Sequence, residues 1–360
     1  MELVQVDSPS FEEGALALRL KDELEALGLQ VENDQTGMNG VGNLFAVVPG
    51  AGRSLPVILI CTHMDTVEPG KGIKPRIEEG VIRSDGATIL GADNKSAIVA
   101  VLEVIRLLKM NRVTHGDIEL LFTWGEERGH QGAKRFEVSR AQAKIGFVPD
   151  GEGPIGTIIT RAPYYDSLRA TFLGKAAHAG IAPERGINAL LMASRAVTRI
   201  NLGRIDSETT ANLGSISGGV GRNIVPERVE VLGEARSLNP EKLESQVEMM
   251  RRVMEESARE MSGQFQIQVN REYDGYCIGQ DQPPVRIAVA ACQTIGLIPQ
   301  IISSCGGSDA NELNAKGIQT VVLGMGGHDF HSPQERVAIS ELVRLSELIA
   351  TLVVESCRDI

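Results

Sequence analysis

Apolar residues recur along the chain in two rhythms, and the grammar they spell changes at about residue 163. Before it, Leu16, Leu20, Leu24 and Leu27 share one face of a helix predicted from about Phe11 to Leu27, with Ser10 and Glu13 read as a capping box and Gly28 as the stop. Runs rich in branched apolar residues follow: NLFAVVPG, PVILICTH, IELLFTW and AKIGFVP, with a helix at about Lys95 to Met110 between the second and the third. Strands that alternate with helices and are apolar throughout predict an α/β fold, a mostly parallel sheet flanked by helices on both faces.

From about Pro163 the pattern reads SLRATFLG (strand), INALLMASRAVTRI (helix), TTANLGSISG and ERVEVLGEARSL (strands), a long helix, and QFQIQVNREY (strand). That βαββαβ order is ferredoxin-like and predicts a second, α+β domain. Its long helix is capped by Asn239, opens on Pro240, presents Leu243, Val247, Met250 and Met254 on one face, and is expected to end at Gly263. After Tyr276 the α/β pattern returns, with a helix near Pro284 to Ile295, the turn GGSDANELNAKG into a helix, the strand IQTVVLG, and a last helix ending near Val354. The expected organisation is residues 1–162 and 278–360 forming one domain, with 163–277 inserted into it.

Composition narrows the function. At 360 residues, two domains are expected, and an aromatic share of 4% leaves little with which to stack single-stranded bases. A net charge of −11 without a run of Lys or Arg excludes nucleic acid as the expected partner. Five scattered cysteines (Cys61, Cys277, Cys292, Cys305, Cys357) with no C-x-x-C pair predict neither a disulfide framework nor a thiolate zinc site, and fit a reducing cytoplasm. The N-terminus lacks the basic start and apolar run of a secretory leader, and SAIVAVLEVIRLL is too short and too charged to span a membrane. No G-x-G-x-x-G follows the early strands, so dinucleotide binding is not expected.

In open α/β sheets, ligands bind beyond the carboxyl ends of the strands. His63 and Asp65 follow PVILICT, Glu126 and Glu127 follow IELLFTWG, Asp150 follows AKIGFVP, and His328 and His331 follow IQTVVLGMGG; Asp93, in GADNK, opens a helix between two of these strands. Any one of them is an ordinary loop residue, and Asp93 or Asn94 alone reads as a helix cap. Together they form a concentration of negative charge that two divalent cations would offset. Two imidazoles with several carboxylates and no thiolate suit zinc first, with manganese or cobalt as alternatives. His63, Asp93, Glu127, Asp150 and His331 supply a set large enough for two ions. Asp65, two residues beyond His63, is placed to hold that imidazole's second nitrogen. Whichever of Glu126 and Glu127 is not a ligand can take a proton from the attacking water, and spacing does not decide between them.

THMDT, GADNK, WGEERG, PDGE and HDFHSPQE resemble the motifs of the di-zinc exopeptidases that include peptidase T, glutamate carboxypeptidase and aminoacylase; the resemblance spans nearly the whole chain and is strongest to the peptidase T-like branch. It implies that His63 and Asp150 hold one metal, Glu127 and His331 the other, and that Asp93 bridges them. Asp65 becomes the orienting acid, Glu126 the general base, and His328 an ordinary loop residue. GKAAHAG, GRNIVPE and GEARSL resemble segments of the inserted lid that supply an oxyanion-stabilising histidine across a dimer and substrate-facing Asn and Arg, which implies His178, Asn223 and Arg236. Where tripeptidase T has an arginine ahead of a Gly-Gly pair, this chain reads SSCGGSDAN; Cys305 is expected to be a small packing residue, and strict tripeptide specificity is not implied. The expected function is metal-dependent exopeptidase action on tripeptides or dipeptides by a lid-linked homodimer. The competing readings are an amidohydrolase or carboxypeptidase acting on N-acyl amino acids, and a non-catalytic binding protein with structural metals.

Overall fold

A computed structural model of the chain describes residues 1–37, 40–52 and 55–358. The chain divides into two compact units: Met1–Arg161 with Cys277–Ser304 and Ser308–Ile360, and Ala162–Tyr276 with Cys305–Gly307.

The first unit is built on a mixed sheet whose centre is parallel. Ile58–His63 lies between Ile118–Thr123 and Ile145–Gly151, and Gln319–Gly324 continues on the far side of Ile145–Gly151, all in parallel register. Antiparallel strands Leu44–Val48 and Val31–Asn33 extend one side, while Thr157–Ala162 joins the other antiparallel to Gln319–Gly324 and pairs parallel with Gln300–Ser303. The helices Ala92–Asn111, Pro283–Thr294 and Ile339–Glu355 pack together in the same unit, and their apolar stripes join the sheet in a single core. Leu16, Leu20 and Leu24 are fully buried in it, each stabilising the fold by about 2 kcal/mol.

The first helix begins at Gly14 rather than at Phe11, and its N-terminus carries no side-chain cap. The expected capping box does not form because Ser10 and Glu13 are committed elsewhere: Ser10 Oγ donates to Asp65, and Glu13 accepts from Gly125 N. Gly28 closes this helix as expected, at φ 75°.

The second unit is an antiparallel sheet in the order Gly203–Arg204, Thr209–Gly218, Arg228–Ser237, Tyr164–Leu173, Gln264–Tyr273, with helices Ala189–Arg199 and Pro240–Arg259. Its own core joins Phe172, Ala193, Leu243, Met250 and Met254. The long helix opens as its sequence requires, with the Asn239 side chain accepting from Glu241 N and Lys242 N after a proline start. It ends at Arg259, four residues before Gly263, and Ser262 rather than Gly263 takes the left-handed turn at φ 58°. Among the described residues no helix is long and apolar enough to cross a membrane.

Candidate metal centre

The parallel register places His63 beside Thr123 and Ile60 beside Phe147, so the loops leaving these strands open on one edge. From Thr123 the chain passes through Gly125, in a left-handed conformation at φ 58°, into a single turn that carries Glu126 and Glu127. Glu13 Oε1 accepts from Gly125 N and Phe11 N at 2.9 Å each and fixes that entry. The fully buried Asp65 carboxylate accepts from Ser10 Oγ at 2.7 Å, Glu126 N at 2.9 Å and Glu127 N at 3.2 Å.

Asp93 does not cap its helix. Asp93 and Asn94 have non-helical backbone angles at the head of Ala92–Asn111, and the cap position carries no side-chain hydrogen bond. The free N–H groups there are taken by Glu335 instead, whose oxygens accept from Leu90 N and Gly91 N at 2.7 Å and Asp93 N at 3.0 Å. The Asp93 carboxylate turns the other way. Its Oδ1 lies 3.1 Å from His63 Nε2 and its Oδ2 lies 3.3 Å from His331 Nε2.

His63 Nε2 is also 3.2 Å from Asp150 Oδ1, and His331 Nε2 is 2.9 Å from Glu127 Oε1. Three groupings have ligand atoms within 4.8 Å of one another: His63, Asp93, Asp150; Asp93, Glu127, His331; and His63, Glu126, Glu127. Asp93 is common to the first two. An imidazole nitrogen carries one hydrogen at most, yet each Nε2 faces two carboxylate oxygens, so hydrogen bonding within the protein leaves acceptors over. This donor set of neutral nitrogens and anionic oxygens fits a pair of divalent cations.

Around His63 the second nitrogen is closer to the Asp65 backbone carbonyl, at 3.0 Å, than to its carboxylate, at 3.4 Å. Either oxygen fixes the ring with Nε2 toward the acids. His331 follows at φ 61° on a half-exposed loop, whereas the exposed His328 pairs with Arg336 in a short ribbon and belongs to none of the groupings.

The charges shape one another. Burial works against ionisation of Asp93, but hydrogen bonds from His331 and His63 outweigh it and hold the carboxyl well below the usual range. Burial pushes Asp150 up to about 7, opposed by His63 and reinforced by Asp93 and Asp309. Glu126 is raised well above its ordinary value by burial first, then by Asp150. Hydrogen bonds to Asp93 and Glu127 raise His331 to about 10. Acids and imidazoles that hold one another's protons in this way are groups that a cation would release from them.

The remaining candidates lie in the second unit. Ala177–Ala179 runs beside Asn223–Val225, with Ala179 N donating to Asn223 O and Val225 N to Ala177 O at 2.9 Å each, so His178 and Asn223 are brought together on an exposed ribbon. Gly180 N donates to His178 Nδ1 at 3.2 Å, which leaves the ring hydrogen on Nε2. Arg236 is occupied locally: it meets both Glu234 oxygens at 3.1 Å and its guanidinium stands 4.4 Å from the Tyr165 ring centre. Cys305 is exposed rather than packed, because its segment belongs with the second unit, where Arg204 Nη1 lies 3.9 Å from its sulfur.

Sequence reasoning missed the roles of Glu335 and Glu13, which accept from backbone groups distant in the chain, and of Ser10, which donates to the Asp65 carboxylate. It also passed over His130, four residues after Glu126 between Gly129 and the short helix Gln131–Arg135, a spacing visible in WGEERGH.

Residues 59–355 match the peptidase family M20/M25/M40. Over 361 residues the chain is 41% identical to YqjE of Bacillus subtilis (strain 168), an uncharacterized protein, covering 99% of this chain and 97% of that one. It is 26% identical to peptidase T of Listeria welshimeri, over 96% of this chain and 94% of that one. Among solved structures, an aminopeptidase PepT from Bacillus cereus is 42% identical with a TM-score of 0.91, covering 99% and 97% of the two chains. A tripeptidase from Staphylococcus aureus is 36% identical with a TM-score of 0.95, covering 99% and 96%. With a sheet edge that gathers metal-ligating side chains and a family match across most of its length, the chain belongs to the peptidase family M20/M25/M40 and is a metallopeptidase.

Proposed function

We propose that the chain is an exopeptidase that hydrolyses short peptides, tripeptides or dipeptides, with His63, Asp93 and Asp150 holding one divalent cation and Asp93, Glu127 and His331 a second. Zinc suits this donor set best, with manganese or cobalt as alternatives. The observation that carries the reading is the division of Asp93, one oxygen toward each imidazole. Cations bound there would polarise a scissile carbonyl and make a neighbouring water a better nucleophile.

The protein's own groups supply the rest. Glu126, raised by burial and by its acidic neighbours, accepts the proton of the attacking water and returns it to the leaving amine. Asp65 fixes the backbone of both glutamates. His178, with its hydrogen on Nε2, is the proposed donor to the oxyanion, contributed by a partner subunit in a homodimer. Asn223 contacts substrate beside it, and Arg236 clasps a terminal carboxylate after leaving Glu234. Five free thiols agree with a reducing compartment, the cytoplasm.

A second reading, hydrolysis of N-acyl amino acids, draws on Cys305, since an arginine is missing from that loop and the nearby guanidinium of Arg204 comes from another strand. The decisive experiment loads the protein with zinc and assays tripeptides, dipeptides and N-acetyl amino acids side by side. Peptides with free amino termini are expected to turn over fastest. Glu126→Gln is expected to lower kcat by about 100-fold or more with metal content unchanged; ordinary turnover by that variant would sink the mechanism.

A further inference from the structure

Behind Glu126 the fold keeps an imidazole and two acids that the hydrolytic reading leaves unused. His130 is 4% exposed. Its Nε2 lies 3.4 Å from Glu126 Oε1 and its Nδ1 lies 3.8 Å from Glu312 Oε1. Asp309, one turn before Glu312 in the short helix Asp309–Ala315, is also fully buried and takes a hydrogen bond from Thr123 Oγ1.

The backbone is bent to make this line. His130 adopts φ 56°, a left-handed conformation that is uncommon for a residue with a Cβ. His130 N donates to Glu126 O at 2.8 Å, closing a turn that returns the imidazole to the carboxylate four residues earlier. On the far side, Lys316 Nζ donates to Lys134 O and Phe136 O at 2.8 Å each, and so ties the end of the helix that carries Glu312 to the segment following His130.

We propose that His130 is a positioning residue for Glu126: its Nε2–H, 3.4 Å from Oε1, holds that carboxylate oxygen and leaves the other for the proton of the attacking water. The proposal rests on Glu126 being the general base. A donor on one oxygen of a carboxylate defines the plane in which the second meets its proton.

The test uses the zinc-loaded full chain and a tripeptide with a free amino terminus. His130→Ala is expected to lower kcat about 10-fold with KM changed less than about twofold and metal content full, and His130→Gln, which keeps a donor at similar reach, to recover most of that loss. His130→Phe, which keeps most of the ring's volume and removes its donor, is expected to be as slow as His130→Ala and serves as the deciding variant if His130→Ala does not fold. Glu126→Gln is measured alongside. If it turns over normally, the base assignment fails and this proposal with it. If it is inactive while His130→Ala keeps its kcat, or His130→Gln is as slow as His130→Ala, or the loss falls wholly in KM, the role of His130 alone is overturned. An unchanged kcat in His130→Phe, where His130→Ala is unfolded, overturns it as well.

Discussion

Glu335 is 1% exposed, and its two oxygens accept three backbone N–H groups at the head of the helix that carries Asp93. Replacing it with alanine strands those donors in a dry place, a loss on the order of 3 kcal/mol, and frees the Asp93 backbone to move. Glu335→Ala is expected to unfold at lower urea concentration and to bind zinc about 10- to 100-fold more weakly in a chelator competition; wild-type affinity would show that Asp93 needs no such support. At this scale the sequence exposes the proposed ligands and hides their supports. His63, Glu127, Asp150 and His331 stand at or after strand ends and Asp93 at a helix start, all in short motifs, so residue type and position mark them. Glu335 and Glu13 work on backbone groups up to 245 positions away and Ser10 on the Asp65 carboxylate, and no local spacing records that. Ser10 and Glu13 even mimic a capping box, a local solution that loses to Asp65 and Gly125.

The helices and strands follow local rules more closely. Asn239 accepts from two N–H groups of the helix Pro240–Arg259, as its place before a proline requires. Asn239→Ala is expected to cost about 1 kcal/mol in urea unfolding while turnover per folded molecule stays unchanged. Thr209–Gly218 and Gln264–Tyr273 were readable to the residue, since alternating or branched runs are bounded by clear turn residues. The end of the long helix was not, because Ser262 takes the left-handed turn that the pattern assigns to Gly263. The start of Ala92–Asn111 shows the same override: an Asp-Asn pair reads as a cap, but the distant Glu335 satisfies those N–H groups and releases Asp93 toward the imidazoles.

For the whole molecule, metal, proton and stability are linked. With only protein groups around it, Asp150 is raised from 3.8 to about 7, so the folded chain holds that proton more tightly than the unfolded chain. Its contribution is complete below the ordinary value and lost as pH rises toward about 7. His331, raised from 6.5 to about 10, behaves in the same direction over its own range. Asp93 is depressed and its contribution is lost only as pH falls through the acid range. Chelated protein is therefore expected to lose stability as pH rises from about 4 to about 10, through Asp150 up to about pH 7 and through His331 above about pH 6.5, while zinc, which competes with those protons, holds the loaded form steady. The difference in Tm between loaded and chelated protein should widen over that interval. A gap that stays constant or narrows would mean these groups are not the ligands.

Taken alone, the sequence determined the elements, the sheet type, the ferredoxin-like order of the second unit and the kinds of side chain gathered at the strand ends. These depend on periodicity, capping and turn chemistry, which act over a few residues. Only the tertiary structure decided which groups meet: that Asp93 divides its oxygens between His63 and His331, that His328 stands apart, and that His130 reaches back to Glu126. Those outcomes depend on strand register and on hydrogen bonds across hundreds of positions, where buried polar groups find partners that no local pattern names.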